Sequence, residues 1–278
     1  MTSKVKQVIK GVDAQDGAGV KLVRVLGKDN VVDFDPFLLM DSFDSTNPED
    51  YIKGFPMHPH RGIETLTYLI YGEMDHEDTL GNEGKILDGS AQWMTAGSGI
   101  EHQEMPQPSD KMLGIQLWIN LPKEDKMTTP KYFDVLSDDI PYATIDQGTV
   151  RVLSGSAFGL TGVTPHHLPV DFYDVDLKED KEITIPKIKG KNSFIFLISG
   201  DGKIFGDEYK EKSALLLDDS ESVTIKAMNG NARVLFIQGP PLKEPIAWAG
   251  PIVMNTSKEI QQAYLDLRNG EFIKEEAK

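Results

Sequence analysis

Short segments in which apolar and polar residues alternate recur along the chain, and they constrain its fold more than any other feature. Residues 114–121 alternate almost perfectly, and residues 64–71 are rich in Thr, Tyr and Ile before a turn at Gly72. A period of two is typical of half-buried β-strands. Further strands are predicted at residues 193–199, 214–217, 223–227 and 233–238. Many short strands separated by turn residues favour an all-β barrel or sandwich.

A weak internal repeat divides the chain in two. Residues 68–73 correspond to residues 197–202, because each segment is a strand that enters a Gly turn and is followed by another strand and turn. Two copies of one barrel explain both this repeat and the length of 278 residues. We therefore predict one domain at 1–133 and a second at 134–278, joined by a Pro-containing linker within residues 121–141.

Helix signals are scarce, and the best one lies near the C-terminus. Thr256 and Glu259 have the spacing of a capping box, and Gly270 is a suitable helix end. One apolar stripe runs between them, through Ile260, Tyr264 and Leu267. We predict a short C-terminal α-helix whose stripe packs on the protein's own barrel.

Composition excludes several classes of protein. The chain has no Cys, which rules out disulfides, thiolate zinc sites, iron–sulfur clusters and Cys nucleophiles. The formal net charge of −15 argues against direct binding of nucleic acid, which needs clustered Lys and Arg. No secretory signal and no apolar run of membrane-spanning length are visible, so we expect a cytoplasmic protein that binds no membrane.

Four of the six His lie between positions 58 and 102. His58 and His60 are separated by one residue, so on a strand both imidazoles point to the same face. His102 and Glu104 repeat this spacing with one imidazole and one carboxylate. Two such strands supply three nitrogens and one oxygen, which suits Fe, Ni or Mn with open positions for substrate; Zn also tolerates these ligands.

The segments around these residues resemble a known family. Residues 55–68 (FPMHPHRGIETLTY), 75–78 (DHED) and 92–106 (QWMTAGSGIEHQEMP), together with residues 238–256 near the C-terminus, are similar to pirins, a bicupin family. The likeness extends over nearly the whole chain. It implies two stacked cupin β-barrels, of which only the first binds a metal.

The resemblance also implies the ligands of that metal. In pirins an iron ion is held by the residues that match His58, His60, His102 and Glu104. The generic cupin pattern instead takes its carboxylate from the position of Glu64, which shares the inward face if the strand is regular. We favour Glu104 as the ligand, and we assign Glu64 a supporting role.

Other candidate residues have less specific signals. His76 lies in an acidic stretch that we interpret as a turn, where a histidine is usually solvated or hydrogen-bonded. His166 and His167 are expected in a surface connection. Trp93 and Met94 must point in opposite directions on a strand, so one of them faces the cavity. Gln92 and Gln103, next to the ligand segments, are candidates for orienting a ligand or substrate.

Two functional hypotheses follow from the resemblance. The first is a quercetin 2,3-dioxygenase-like enzyme that uses iron and O₂ on a flavonol, or on another enediol or aromatic small molecule, with Glu104 taking the substrate's proton. The alternative is a non-catalytic, iron-dependent regulator that binds a protein partner such as a transcription factor or a metabolic enzyme. Neither the oligomeric state, a monomer included, nor the natural substrate follows from the residues.

Overall fold

The computed structural model describes residues 4–274, which form a mostly β protein with one α-helix. The strands of the first half are β1 Val5–Lys10, β2 Val12–Asp16, β3 Val20–Leu26, β4 Phe37–Ser45, β5 Phe55–His60, β6 Ile63–Tyr71, β7 Glu73–Asp78, β8 Glu83–Ile86, β9 Ala91–Thr95, β10 Ile100–Gln107, β11 Met112–Asn120 and β12 Lys131–Val135. Those of the second half are β13 Tyr142–Ile145, β14 Gly148–Ser154, β15 Ser156–Ala157, β16 Leu160–Thr161, β17 Asp171–Leu177, β18 Glu182–Pro186, β19 Asn192–Ile204, β20 Asp207–Tyr209, β21 Ser213–Leu217, β22 Ser222–Gly239, β23 Ala247–Ala249 and β24 Ile252–Met254. The helix α1 spans Ser257–Asn269, and short 3-10 helices lie at Lys28–Asn30, Pro48–Asp50, Lys123–Asp125 and Ser137–Asp139.

The chain divides into two compact units whose segments alternate along the sequence. Within the described residues, the histidine unit comprises Asp13–Arg24, Phe37–Ser137 and residues 242–274. The apolar unit comprises residues 4–12, Val25–Pro36 and Asp138–Pro241. The predicted domains, 1–133 and 134–278, are two continuous stretches of sequence, whereas each compact unit combines separate segments. The predicted domain limits therefore remain a prediction.

The histidine unit contains two large antiparallel sheets. The seven-stranded sheet has the order β12-β9-β6-β11-β4-β3-β2, and the four-stranded sheet has the order β5-β10-β7-β8. Apolar side chains of both sheets meet in one buried cluster of Val20, Leu22, Phe43, Tyr51, Leu69, Met74, Ile86 and Met112. The two sheets therefore enclose a common core, and the hairpin β23-β24 belongs to the same unit.

The segment predicted as a linker is only partly irregular. Its central part forms β12, which pairs with β9 and places Phe133 opposite Trp93. The two rings stack with centroids 5.6 Å apart and an interplanar angle of 13°. This aromatic pair and the strand hydrogen bonds keep part of the predicted stretch in the sheet, and the boundary between the two units follows it, between Ser137 and Asp138.

The apolar unit is built on a nine-stranded sheet in which β19 and β22 form the longest pair. The strands predicted at 223–227 and 233–238 are parts of the single strand β22. Asn229 and Gly230 between them have φ angles of 57° and 125°, so the chain bends there while the strand continues. The interior of this unit is filled by apolar side chains, including Val152, Tyr173, Ile195, Leu197, Leu215, Val234 and Phe236.

The predicted C-terminal helix is confirmed, together with both of its ends. Thr256 is the N-cap, and its hydroxyl oxygen accepts a hydrogen bond from the backbone N–H of Glu259 at 3.2 Å. Gly270 ends the helix in the left-handed conformation, with φ of 70°. Ile260 and Leu267 pack with residues of β24, as the apolar stripe predicts, whereas Tyr264, the third residue of the stripe, is 37% exposed. No helix in the described part of the chain is long and apolar enough to span a membrane.

Candidate metal centre

The histidines lie on neighbouring strands of the four-stranded sheet. His58 and His60 are on β5, and His102 is on β10 directly across from His58. The loop between β9 and β10 brings His102 to this position, and its glycines are needed there. Gly97 has φ of 49°, and a Cβ at this position would lie 2.1 Å from the carbonyl oxygen of Thr128. The turn-forming segment before His102 thus works as the sequence predicts.

The three imidazoles meet at one point inside the histidine unit. One nitrogen of each ring lies within 4.8 Å of the others, and among the described residues this is the group that has the spacing to hold a metal ion. The ring centroids of His58 and His102 are 4.5 Å apart, and those of His60 and His102 are 5.2 Å apart. His60 and His102 are buried, whereas His58 is partly exposed, so the group is reached from the side of His58.

Hydrogen bonds determine which nitrogens of these rings are available. The Nδ1 atoms of His58 and His60 lie 2.9 Å and 3.2 Å from the carbonyl oxygens of Pro56 and Pro251. A carbonyl only accepts hydrogen bonds, so each Nδ1 carries the proton and each Nε2 is left with its lone pair. These two Nε2 atoms lie 3.0 Å apart. Two nitrogens each about 2.1 Å from one ion, at a right angle to each other, have about the same separation.

Burial keeps His60 and His102 in the neutral form that binds metals. Desolvation, with a smaller contribution from the charge of His58, lowers the pKa of His60 to about 3. Burial also holds the pKa of His102 well below its usual value. Neither nitrogen of His102 has a hydrogen-bond partner among the described residues. A buried imidazole without such a partner, beside two converging lone pairs, fits a bound cation.

Glu104 lies beside the histidine group without being part of it. Its side chain is buried, and the three-residue group within 4.8 Å includes only histidines. Oε1 accepts a hydrogen bond from the Thr67 hydroxyl at 3.0 Å, and Oε2 accepts one from Gln116 Nε2 at 3.3 Å. Burial raises the pKa of the Glu104 carboxyl, although His58 and these two hydrogen bonds oppose the shift. Metal ligation by Glu104 therefore remains a prediction.

Glu64 does not share a regular strand with His60. The strand β5 ends at His60, Gly62 turns the chain with φ of 77°, and β6 begins in the other sheet. On β6, Glu64 pairs with Thr95 and accepts a hydrogen bond from its hydroxyl at 2.7 Å. Thr67, which contacts Glu104, is three residues along and points to the opposite face of β6. The assumption that placed Glu64 on the inward face therefore fails.

His76 is not the solvated turn residue that the sequence indicates. It lies on β7, is 6% exposed, and is paired directly with Glu104 across the β7–β10 ladder. Its Nε2 is 2.6 Å from Gln92 Nε2, and its ring stacks on Tyr132 at 5.7 Å. The prediction of a turn was wrong, because the two sheets bury alternate residues of an acidic segment. The expectation of a hydrogen-bonded histidine agrees with the contact to Gln92. The alternation buries Met74, His76 and Asp78 and is the sequence signal that could have identified His76 as a buried strand residue.

The seven-stranded sheet supplies polar residues that motif analysis missed. Thr67 on β6 pairs with Gln116 on β11 and with Gln92 on β9, so the three side chains share the face that contacts Glu104 and His76. Met94 lies on this face as well, whereas Trp93 points to the other side. Gln103, the second candidate glutamine, donates instead to Glu77 near the surface. The alternation of side-chain direction within β6 and β11 was the sequence signal that could have placed Thr67 and Gln116 on this face.

The remaining histidines are not members of this group. His166 and His167 are in the irregular connection between β16 and β17, with His166 exposed, as the sequence predicts. In the apolar unit, Lys191 stands near the position where the repeat would place a histidine. Its Nζ donates to Asp171 Oδ2 at 2.7 Å and so belongs to an ion pair.

Comparisons with known proteins agree with this arrangement. The family model described as Pirin matches residues 19–119, and the model for the pirin C-terminal cupin domain matches residues 172–273. The protein therefore contains two cupin domains.

Individual relatives match along the whole chain. A pirin-like protein of Caulobacter vibrioides is 40% identical over 272 residues, covering 96% of this chain and 98% of the relative. Pirin of Homo sapiens is 39% identical, covering 96% and 93%. The crystal structure of a quercetin 2,3-dioxygenase from Acinetobacter baumannii superimposes with a TM-score of 0.90 at 30% identity, covering 98% of this chain and 99% of that one. This chain belongs to the pirin family.

Proposed function

We propose that this protein is a mononuclear-iron dioxygenase that cleaves a flavonol, or another enediol or aromatic substrate, with O₂. The single observation that carries the proposal is the convergence of three imidazoles beside a buried carboxyl group, with His58 partly exposed to solvent. The dioxygenase from Acinetobacter baumannii supports the reaction type, because its whole chain aligns with this one.

His58, His60, His102 and Glu104 would hold the ion. When bound, iron provides a Lewis acid that lowers the pKa of an enol and a centre where the substrate and O₂ can meet. In the overall reaction both oxygen atoms of O₂ enter the product, and one ring carbon leaves as carbon monoxide. Ni, Mn and Zn accept the same donor atoms, so iron itself is part of the proposal.

The chain's own residues have separate tasks in this scheme. The Pro56 and Pro251 carbonyls hold the rings of His58 and His60 with Nε2 directed to the site. A carboxyl oxygen of Glu104 accepts the proton of the substrate's enol, because this buried carboxyl group lies beside the histidine group. Thr67 and Gln116 orient the Glu104 carboxyl through their hydrogen bonds.

The test is a single-turnover experiment on the purified protein. We load the metal-free protein with Fe(II) under anaerobic conditions, add quercetin, and then admit O₂. We expect equal amounts of O₂ consumed, quercetin lost and carbon monoxide released, and we expect no carbon monoxide from a His102→Ala variant. A fully loaded protein that consumes neither O₂ nor quercetin, nor other enediols, would contradict the proposal and leave the regulator hypothesis.

A further inference from the structure

Two tryptophan rings extend from the histidine group toward the surface. The Trp118 ring lies against His60 edge to face, with centroids 5.0 Å apart and an angle of 87°. The Trp248 ring follows at 5.8 Å from Trp118, tilted by 38°. His60 is buried, whereas both tryptophans are partly exposed. An aromatic surface therefore leads from a predicted metal ligand to solvent.

Both rings are held in place by the structure of the histidine unit. Trp118 is on β11 opposite Thr65, so it shares the inward face with Gln116. Trp248 is on the hairpin β23-β24, and its indole N–H donates to the carbonyl oxygen of Gly250 at 2.8 Å. The Tyr264 hydroxyl of α1 donates to the Ala249 carbonyl at 3.0 Å. The hairpin that carries Trp248 is therefore fixed against the helix.

The same hairpin connects the tryptophan to the metal site. Pro251, three residues after Trp248, provides the carbonyl that orients His60. Arg61 and Ile252 form a parallel bridge beside it, and the Val253 N–H donates to the Arg61 carbonyl at 3.1 Å. Backbone hydrogen bonds therefore connect the hairpin that carries Trp248 to the residue that follows His60.

We propose that Trp118 and Trp248 form a ring-binding surface, and that Trp248 makes the site select planar aromatic enediols over non-aromatic ones. This inference rests on the proposed function, because the substrate's oxygens must lie at the histidine group while its ring lies against the indoles. Indole faces carry a partial negative charge and pack well against the edge or offset face of another aromatic ring. The partly exposed pair of indoles offers this contact to an aromatic ring, whereas a non-aromatic enediol has no ring to place against it.

The test is equilibrium binding, measured without turnover. Dissociation constants for quercetin and for ascorbate, a non-aromatic enediol, are determined by calorimetry on the anaerobic Fe(II)-loaded protein. The variants are Trp248→Ala, Trp248→Phe and Trp248→Leu, and iron content is measured for each. Tyr142→Ala, which removes an exposed aromatic residue from β13 in the apolar unit, is the matched control.

We expect Trp248→Ala to weaken quercetin binding about fivefold to tenfold and ascorbate binding less than about twofold. Trp248→Phe should retain most of the affinity, Trp248→Leu should not, and Tyr142→Ala should change neither ligand. Unchanged quercetin binding in Trp248→Ala, or an equal loss for both ligands, would overturn the inference. If Trp248→Ala loses iron, the comparison of Trp248→Phe with Trp248→Leu tests the inference instead. Equal quercetin affinities of these two variants would overturn the inference. A protein that binds quercetin selectively but does not turn it over would contradict the proposed function and leave this inference standing.

Discussion

The guanidinium of Arg61 donates from Nη1 to Oδ2 of Asp266 at 2.7 Å, and both side chains are almost completely buried. Arg61 directly follows His60, whereas Asp266 lies on α1, so the ion pair joins the terminal helix to the strand that carries two predicted ligands. A second donation, from Nη2 to the Phe272 carbonyl at 2.8 Å, and the Phe272 ring at 4.3 Å complete the site around the guanidinium.

Removal of the Asp266 carboxylate should destabilise the protein strongly. Asp266→Ala leaves the buried Arg61 charge without its partner, and we expect a loss of about 3–5 kcal/mol in the free energy of unfolding. Denaturant titration measures this loss. Leu265→Ala, an exposed neighbour on the same helix, should cost much less. Equal effects of the two variants would show that the ion pair contributes little beyond the helix itself.

Stability should rise with pH through the titration of Lys126. Its Nζ is buried and donates to the Gly62 carbonyl, Asn120 Oδ1 and the Val253 carbonyl. Burial lowers its pKa to about 7, although Glu244 and Glu259 oppose the shift. Between pH 7 and the ordinary lysine value near 10.5 the unfolded chain holds this proton and the folded chain has lost it, so unfolding becomes less favourable as pH rises.

Lys126→Met should remove this slope from the free energy of unfolding between pH 7 and 10. It should also lower stability by about 1–3 kcal/mol at pH 7, because three buried oxygens lose their donor. Urea unfolding at several pH values measures both effects. The exposed Lys123→Met variant serves as control and should keep the slope. A slope that persists in Lys126→Met would assign it to another group.

Metal content should discriminate between the two carboxylates. We expect Glu104→Gln to lower iron affinity at least about tenfold, because a charged ligand oxygen is replaced by a weaker amide oxygen. Glu64→Gln should retain metal, because the Glu64 side chain is on the opposite face of β6 from Thr67 and accepts a hydrogen bond from the Thr95 hydroxyl. Iron bound per protein at fixed free iron gives the comparison. Loss of iron in Glu64→Gln with retention in Glu104→Gln would reverse the assignment.

Metal binding should stabilise the folded protein. Free Fe(II) at one hundred times its dissociation constant adds about 2.7 kcal/mol to the free energy of unfolding. Thermal unfolding under anaerobic conditions, with and without a chelator, measures the shift. His102→Ala should abolish the metal-dependent part, whereas His166→Ala, in the surface connection, should keep it. A shift that survives in His102→Ala would place the metal elsewhere.

Much of the site was predictable because metal ligation demands particular atoms at particular spacings. The two pairs at i and i+2 placed His58 with His60, and His102 with Glu104, on one face of each strand. The order in which the strands pair could not be predicted from the sequence, because contacts between distant segments determine it. His76 illustrates the consequence, since an acidic segment reads as a turn until the facing sheet is known to bury it.

Strand periodicity, helix caps and ligand spacing are local properties, so the sequence predicts the β class, the two similar halves, the capped C-terminal helix and the histidine motifs. The structure adds that β24 and α1 lie with the histidine unit and that Glu64 points away from Thr67. It also shows that Trp118 packs against His60 and that Trp248 packs against Trp118. Such relationships depend on which distant segments pack together. The residues that make these contacts share no local sequence pattern, so the contacts cannot be predicted from spacing along the chain.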